Sequence, residues 1–256
     1  MKIALTFDVE KDLHSNQYQS LEKGIPLILS ILNKKNIKAT FFVPAKLLDK
    51  FPDYFLDLEK QGHEIALHGY SHERFDNLSI KEKENRIKQS VEIHNQIFKH
   101  SPVGFRAPQH SIDEETLIVL KQNHFLYDAS YTPLNLLQLL FFPKKFKLWL
   151  KGFFSPKRVY KLKQGIYEIP TSSFFVPFVS LPLRVFPWFL LKLFLNLLIL
   201  TNQNLVFYAH SWDFIKIPES RIDTRFSHKK LVTNLEKVIF YLSKEYKFSR
   251  MQDLLE

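Results

Sequence analysis

Short apolar runs alternate with helix-patterned stretches along the first half of the chain. The run "KIALTF" (2–7) is typical of a strand, and residues 20–35 carry leucine and isoleucine at helical spacing. The pattern continues with strands predicted at 37–44, 63–68, 103–107 and 125–129, and helices at 44–60, 79–99 and 111–121. Strands joined by helical crossovers predict an α/β fold with a parallel sheet or barrel, whose loops meet at the carboxyl ends of the strands.

Two of these helices begin with a capping-box signature. Ser79 is followed three residues later by Glu82, and Ser111 is followed three residues later by Glu114. In a capping box, the serine and the glutamate each satisfy a backbone N–H of the first helical turn. We therefore expect helices to begin at Ser79 and at Ser111.

The second half of the chain continues without an internal repeat or a Gly/Ser linker. It contains strand-like runs at 165–170 and 204–210, helical patterns at 187–200 and 227–243, and the closing stretch "KFSRMQDLLE". We therefore predict one domain over residues 1–256, in which residues 129–203 contain an insertion and an amphipathic helix.

Composition limits the chemistry that the chain can perform. A hydrophobic content of 45% is enough for a buried core. The absence of cysteine excludes thiol catalysis and Cys-based metal sites, so that any metal must be held by His, Asp or Glu. No glycine-rich phosphate-binding motif occurs.

The positive charge is concentrated in one segment, residues 141–163. The net charge is +10, and this segment contains eight lysine and arginine residues, seven aromatic residues and no acid. Such a segment is typical of a surface that lies on an anionic membrane. An aromatic lid with solvated lysines is the alternative. Nucleic acid is not predicted as a partner, because no nucleic-acid motif accompanies the charge.

Neither a secretory signal nor a membrane-spanning helix is predicted. Met1 leads directly into the first strand, without the regions of a signal peptide. The most apolar stretch, residues 174–200, is interrupted by prolines and charges and lacks the roughly 20 apolar residues of a spanning helix. We expect a cytoplasmic protein, with peripheral attachment to the inner face of the cell membrane if the basic segment binds lipid.

Polar side chains follow the predicted strands at their carboxyl ends. Asp8 and Glu10 share one face of the first strand, because side chains alternate along an extended chain. His68 and His72 follow the third strand and would point the same way in a helical turn, as metal ligands do. A surface acidic pair and a chance histidine spacing remain alternatives for these two patterns.

Arg106 and His210 end two further strands. Pro108 fixes the turn after Arg106, whose planar guanidinium suits a carboxylate such as Asp8. A surface arginine and a structural histidine are the alternatives. A parallel α/β fold has its active site at these strand ends, so the shared placement favours one site.

The motifs in this order resemble the polysaccharide deacetylases with a NodB-homology domain, carbohydrate esterase family 4. The resemblance covers nearly the whole chain and is carried by "LTFDVE", "GHEIALHGYSH", "GFRAPQHSI", "LYDASYTP", "LVFYAHSWDF" and "FSRMQDLL". It is nearest to the branch with DVE and RAP motifs, which is linked to exopolysaccharide biosynthesis. It implies a distorted (β/α)7 barrel around one divalent metal ion, usually zinc. The implied activity is removal of an N-acetyl group from an amino sugar of a polysaccharide or a lipid-linked glycan precursor.

The resemblance also implies roles for individual residues. They are His68 and His72 as metal ligands, Asp8 as general base, Arg106 as the group that orients it, and His210 as general acid. The second aspartate of the family's first motif falls at Val9, so Glu10 is the expected third ligand and Asp8 the alternative. Substrate contacts are expected from Pro108, Asp128 and Trp212, although the tryptophan usual beside Asp128 is absent.

Two other functions stay open at this point. The missing second aspartate would suit a catalytically inactive barrel that binds a glycan or a lipid. A hydrolase of a formamide or another amide would use the same residues.

Overall fold

A curled, mainly parallel sheet organises the computed structural model, which describes residues 1–12, 17–136, 150, 152–216 and 227–256. The strands are β1 (Lys2–Asp8), β2 (Thr40–Val43), β3 (Glu64–Leu67), β4 (Gly104–Phe105), β5 (Tyr127–Asp128), β6 (Tyr160–Lys161), β7 (Tyr167–Glu168), β8 (Ser173–Phe174), β9 (Val176–Pro177), β10 (Leu205–His210) and β11 (Lys247–Ser249). Seven of these described strands run parallel in the order β10-β1-β2-β3-β4-β5-β7. Strand β6 pairs antiparallel with β7, and β11 pairs with the first residues of β1.

The chain that follows β7 brings the two edges of the sheet together. The backbone N–H of Ser172 donates to the Val206 carbonyl at 3.2 Å, and that of Tyr208 donates to the Phe178 carbonyl at 3.0 Å. Residues 172–178 thus lie along the free edge of β10 and curl the sheet towards closure. The predicted distorted barrel is confirmed.

The described helices are α1 (Ile25–Asn33), α2 (Ala45–Lys50), α3 (Pro52–Lys60), α4 (Ile80–Phe98), α5 (Glu114–Gln122), α6 (Ser180–Val185), α7 (Trp188–Thr201) and α8 (His228–Leu242). The helix predicted over 44–60 is two helices, α2 and α3. Phe51 leaves the helical region (φ −133°, ψ 54°) because Pro52 disfavours a helical conformation in the residue before it.

Of the two predicted capping boxes, one is confirmed and one is wrong. Ser79 and Glu82 form both hydrogen bonds of the box at the start of α4. At α5 the cap is Asp113, whose Oδ1 accepts from the Thr116 backbone N–H at 2.8 Å. Ser111 serves the loop instead: its hydroxyl accepts from the Phe75 N–H and donates to the Pro108 carbonyl.

The amino end of the barrel is filled by the last residues of the chain. Met251 and Leu254 pack inside the sheet against Ala4, Phe42 and Ala66. The backbone N–H of Met251 donates to Thr40 Oγ1 at 2.8 Å. The interior is therefore closed at this end, and the carboxyl ends of the strands are left for a site.

Much of the predicted basic insertion lies outside the described residues, at 137–149 and 151. The membrane surface predicted for this segment, with a lid as the alternative, therefore stays a prediction. Within the part of the chain that the structure describes, no helix is both long enough and apolar enough to cross a membrane.

Candidate active site

The side chains predicted from the strand ends converge at the carboxyl end of the barrel. Asp8 ends β1 and His210 ends β10, and these two residues are paired in the register of the two strands. His68 follows β3 and Arg106 follows β4, which are also neighbours in the sheet. Strand order and register alone therefore bring these four residues together.

Arg106 is fully buried and holds Asp8 from inside the barrel. Its Nη1 donates to Asp8 Oδ1 at 2.8 Å and to Thr6 Oγ1 at 3.0 Å, and its Nε donates to the Ala129 carbonyl at 3.0 Å. The guanidinium carbon also lies 4.0 Å from the centre of the Phe42 ring. These contacts fix both the guanidinium and the carboxylate that it holds.

The surrounding positive charge keeps Asp8 ionised despite its burial. Burial alone would raise the pKa of Asp8, but the charges of Arg106, His68 and His210 outweigh this effect and lower the pKa. An ionised carboxylate with one oxygen held by arginine suits a general base, because its other oxygen is left to accept a proton.

His68 presents one nitrogen to the site and uses the other for positioning. Its Nδ1 lies 2.8 Å from the Arg106 carbonyl, which fixes Nδ1 as the donor and leaves the Nε2 lone pair available. Nε2 is 3.5 Å from Asp8 Oδ2 and 3.9 Å from Glu10 Oε1. Burial lowers the pKa of His68, so the ring is neutral, as a metal ligand must be.

His72 reaches the same place through a left-handed backbone and not through the predicted helical turn. Residues 70–72 form bends, with φ of +69° at His72 and +73° at Gly69. A side chain at position 69 would be strained by this φ and would approach Pro108 to 3.1 Å. A left-handed residue other than glycine costs about 1–2 kcal/mol, and such strain is concentrated at functional sites.

Glu10, His68 and His72 are the best-suited metal donors. One donor atom from each lies within 4.8 Å of the others. His72 Nε2 lies 3.2 Å from Glu10 Oε2. The contact with Glu10 outweighs burial and raises the pKa of His72, so a metal ion would compete with a proton there. Two imidazoles and one carboxylate form a donor set that suits zinc.

A second group of Asp8, Glu10 and His210 is equally compact but less suited to a cation. Burial would lower the pKa of His210, but the Asp213 carboxylate, with Glu10 and Asp8, raises it to about 9. At neutral pH the imidazole therefore carries both protons and has no lone pair for a metal. The same protonation suits a general acid.

His210 is oriented by Asp213 and Arg184, which the sequence pattern did not single out, and by Trp212, which was expected to contact substrate. Asp213 Oδ2 accepts from the His210 backbone N–H at 2.9 Å and lies 3.6 Å from Nδ1. Arg184 in turn donates to Asp213 Oδ1 at 2.7 Å. Trp212 stacks on the imidazole with ring centres 4.2 Å apart. His210, Trp212 and Asp213 belong to the run "HSWD". The acid three residues after the histidine is the sequence feature from which the contact could have been predicted.

The three residues predicted to contact substrate are all buried in this structure. Asp128 is fully buried, and its carboxylate accepts from the hydroxyl of Ser130 at 2.8 Å. Pro108 is buried against Gly69, and Trp212 supports the His210 ring. The predicted contact of Asp128 with a substrate stays a prediction, and in this structure its side chain is fully buried.

A groove of about 360 Å³ opens beside the metal donors. Glu10 and His72 line one side of it, with Lys11, Lys46 and Tyr18 among its other lining residues. A ligand in this groove would lie next to Glu10 and His72, two of the three metal donors.

The barrel, with polar side chains converging at its carboxyl end, defines the class of the protein, an α/β barrel of the polysaccharide deacetylase type. Residues 1–127 match the family model described as polysaccharide deacetylase, and residues 151–256 match a domain of unknown function, DUF3473. Residues 1–127 belong to the polysaccharide deacetylase family. The predicted DVE and RAP branch is not tested by these matches and stays a prediction.

Named relatives and a solved structure agree with this family. The chain is 29% identical to the peptidoglycan deacetylase-like protein FGM2 of Gibberella zeae, over 58% of this chain and 46% of that protein. It is 32% identical to the peptidoglycan-N-acetylglucosamine deacetylase of Bacillus cereus, over 49% of this chain and 42% of that protein. The chain thus spans less than half the length of these relatives. A putative polysaccharide deacetylase from Mycobacterium smegmatis has the same fold, with a TM-score of 0.73 at 20% identity over 99% of this chain and 88% of that one.

Proposed function

We propose that this chain is a metal-dependent hydrolase that removes an N-acetyl group from an amino sugar. Its substrate would be a polysaccharide or a lipid-linked glycan precursor. The observation that carries the proposal is the convergence of an arginine-held Asp8 with the donors His68 and Glu10 and with His210. The names of the relatives, which are deacetylases of amino-sugar polymers, support the substrate class.

Glu10, His68 and His72 would hold one divalent ion, and their chemistry fits zinc. Bound there, the ion would supply Lewis acidity, which lowers the pKa of water to about 7 and polarises an acyl carbonyl. His68 is turned correctly for this role by the Arg106 carbonyl, and Glu10 lies against both imidazoles.

Asp8 takes the proton of the attacking water. Oδ1 is held by Arg106, so Oδ2, on the side of His68, is the oxygen that accepts the proton. Arg106 keeps this carboxylate charged and immobile, and a positioned base of this kind contributes about 10²–10⁴-fold to the rate.

His210 donates a proton to the nitrogen that leaves. An amine anion is a prohibitively poor leaving group, so the C–N bond breaks only when the nitrogen is protonated. Asp213 and Trp212 hold the ring for this step, and the charge of Asp213 keeps the proton on the ring.

The activity is tested with purified protein and a panel of chitin oligomers and peptidoglycan fragments. We expect acetate release, its loss after dialysis against a chelator, and its recovery with zinc. Protein that binds no divalent metal and releases no acetate from any member of the panel would contradict the proposal.

A catalytically inactive barrel is the second candidate function, because Val9 stands where the family has an aspartate. This residue occupies the position of the family's second aspartate, and its side chain is fully buried in the core, where it cannot reach a metal. An inactive barrel would bind chitin oligomers and be indifferent to Asp8→Asn, whereas the hydrolase would lose acetate release on the same change.

We further propose that the enzyme works at an anionic membrane, which would suit a lipid-linked substrate and a location at the inner face of the cell membrane. Helix α7 buries one face and exposes the other: Phe189, Leu193 and Leu200 lie on one stripe and are 70%, 55% and 80% exposed. Lysines lie against the neighbouring exposed rings, with Lys192 over Tyr241 and Lys244 over Phe240. Rings at headgroup depth with lysines beside them fit an anionic bilayer.

Co-sedimentation with vesicles tests this location. We expect binding to phosphatidylglycerol vesicles that salt weakens, and little binding to phosphatidylcholine. The triple change Phe189→Ser, Leu193→Ser and Leu200→Ser should abolish binding. The control Ile118→Ser alters a side chain that is 45% exposed on α5 and should not change it. Failure of the wild type to bind at any salt concentration would remove the membrane from the proposal.

A further inference from the structure

The hydroxyl of Tyr208 is hydrogen-bonded to the nitrogen through which His210 faces the site. Tyr208 Oη is 2.7 Å from His210 Nε2. On the other side of the ring, Nδ1 is turned towards Asp213. The nearest carboxylate to Nε2 among the described residues is Glu10, whose Oε1 is 3.4 Å away. Tyr208 is thus the closest described partner of the nitrogen that must release the proton.

The position of this hydroxyl is fixed by the sheet. Tyr208 and His210 share a face of β10, because side chains alternate along a strand, and the register pairs Tyr208 with Thr6. Its ring lies 4.9 Å from the Arg106 guanidinium carbon and meets the His110 ring edge-on at 5.6 Å. The phenol is held on several sides, so its hydroxyl stays on the imidazole.

This contact determines where the proton of His210 can go. In the general-acid form that the proposed function requires, His210 donates its Nε2–H to Tyr208 Oη, and the tyrosine O–H is free to donate outward. A leaving nitrogen that approaches along the Nε2–H direction would then meet the tyrosine hydroxyl before it meets the imidazole. Direct transfer from Nε2 would first require this short hydrogen bond to break.

We propose that Tyr208 is a further catalytic residue, which relays the proton of His210 to the leaving nitrogen. As the C–N bond breaks, the nitrogen takes the proton of the Tyr208 hydroxyl, and Oη takes the proton of His210 Nε2. Tyrosine is neutral before and after this step, histidine ends neutral, and the product is a neutral amine. The relay rests on the proposed deacetylase activity.

The test compares two acetyl substrates that differ in their leaving groups. An N-acetylglucosamine tetramer must lose an amine, which needs a proton, whereas 4-nitrophenyl acetate loses a stable phenolate. We expect Tyr208→Phe to lower kcat on the tetramer by about 10- to 100-fold, within the range of acid catalysis. The ester rate should change by less than about threefold, because no proton is delivered to its leaving group.

Two further measurements separate a relay from a structural role. Tyr246→Phe removes a hydroxyl from the loop between α8 and β11, at the far end of the barrel, and should leave both rates unchanged. The rate on the amide should also be measured in mixtures of light and heavy water. The solvent isotope effect of the wild type should fit more than one transferring proton, and that of Tyr208→Phe should fit one. A loss of kcat without a change in this dependence would assign Tyr208 to positioning and overturn the relay.

The remaining outcomes are equally decisive. An active wild type whose Tyr208→Phe variant loses both substrates to the same extent, or loses neither, would overturn the relay and leave the proposed function standing. A metal-loaded wild type that cleaves neither substrate would overturn the proposed function and the relay together.

Discussion

The two ends of the barrel each bury a carboxylate, and they use it in opposite ways. Asp8, at the carboxyl end, is paired with the Arg106 guanidinium, and its pKa is lowered. Glu64, at the amino end, accepts from the hydroxyls of Thr40 and Tyr127 and from the backbone N–H of Gln252. These donors are neutral and do not offset burial, so the pKa of Glu64 is raised.

Burial of an acid is therefore not by itself a sign of function. Both side chains are almost inaccessible, and both accept hydrogen bonds in the interior of the same sheet. They differ in the charge of the partner and in what lies above: Asp8 faces two imidazoles and Glu10, whereas the carboxy-terminal turn covers Glu64. A charged partner and an open side prepare a group for proton transfer, whereas neutral donors and a closed side leave it structural.

The largest effect is expected from His68, which directly follows β3. His68→Ala removes a metal donor, so we expect bound zinc to be lost and acetate release to fall by about 10³-fold or more. The control His63→Ala lies at the other end of the strand, where His63 Nδ1 accepts from the Ala39 N–H. It should lower the melting temperature and keep the zinc, as measured by metal analysis. Equal loss of zinc from His68→Ala and His63→Ala would contradict the distinction between a metal site at the carboxyl end of the barrel and a structural amino end.

Asp8→Asn is expected to have the next largest effect. Asparagine keeps the shape and loses the basic oxygen, so kcat should fall by about 10²–10⁴-fold while the fold persists. Initial rates with zinc-saturated protein, together with circular dichroism, would check this. Retention of more than a tenth of the wild-type rate would show that another group takes the proton.

A smaller effect on the rate is expected from Asp213→Asn. The carboxamide keeps a hydrogen-bond acceptor but removes the charge that keeps His210 protonated. We expect kcat on an amide to fall by about 10-fold, with the alkaline decline in rate moved to lower pH, because a general acid fails once it loses its proton. A pH–rate profile of wild type and variant would show the shift, and coincident alkaline limbs would contradict it.

Glu64→Gln should leave catalysis intact and change stability alone. The lost acceptor costs about 1–3 kcal/mol in the free energy of unfolding. The folded-state pKa of Glu64 is raised, so folded protein binds the proton more tightly, and this group makes stability fall as pH rises above its unfolded pKa of about 4.3. The variant should lack this contribution in urea unfolding measured from pH 4 to 7. A variant with the wild-type pH dependence would mean that Glu64 is already ionised when folded.

The sequence alone allows the main residues of the site to be predicted, because their positions follow from where strands end. Asp8, His68, Arg106 and His210 each follow a recognisable apolar run, and parallel strands end on one side of a sheet. Thr6 and Tyr208 could not be found in this way. Their roles depend on the register between β1 and β10, two strands that lie about 200 residues apart in the chain.

Local patterns failed where a tertiary contact took precedence. The spacing of His68 and His72 fits a helical turn, but the structure reaches the same convergence through left-handed residues at 69 and 72. Ser111 has the sequence of a cap, yet its hydroxyl is used by Phe75 and Pro108, and Asp113 takes the cap. In both cases the residue types were informative and the local geometry was not.

The central position of β1 also has a consequence for how the protein folds. This strand is translated before the rest of the barrel, but two of its neighbours, β10 and β11, are translated about 200 residues later. Until then its apolar edge has only β2 to pair with, and such long-range pairings are slow to form. The nascent chain should therefore complete its barrel only after β10 and β11 have been translated, and β1 would be a natural place for a chaperone to bind in the meantime.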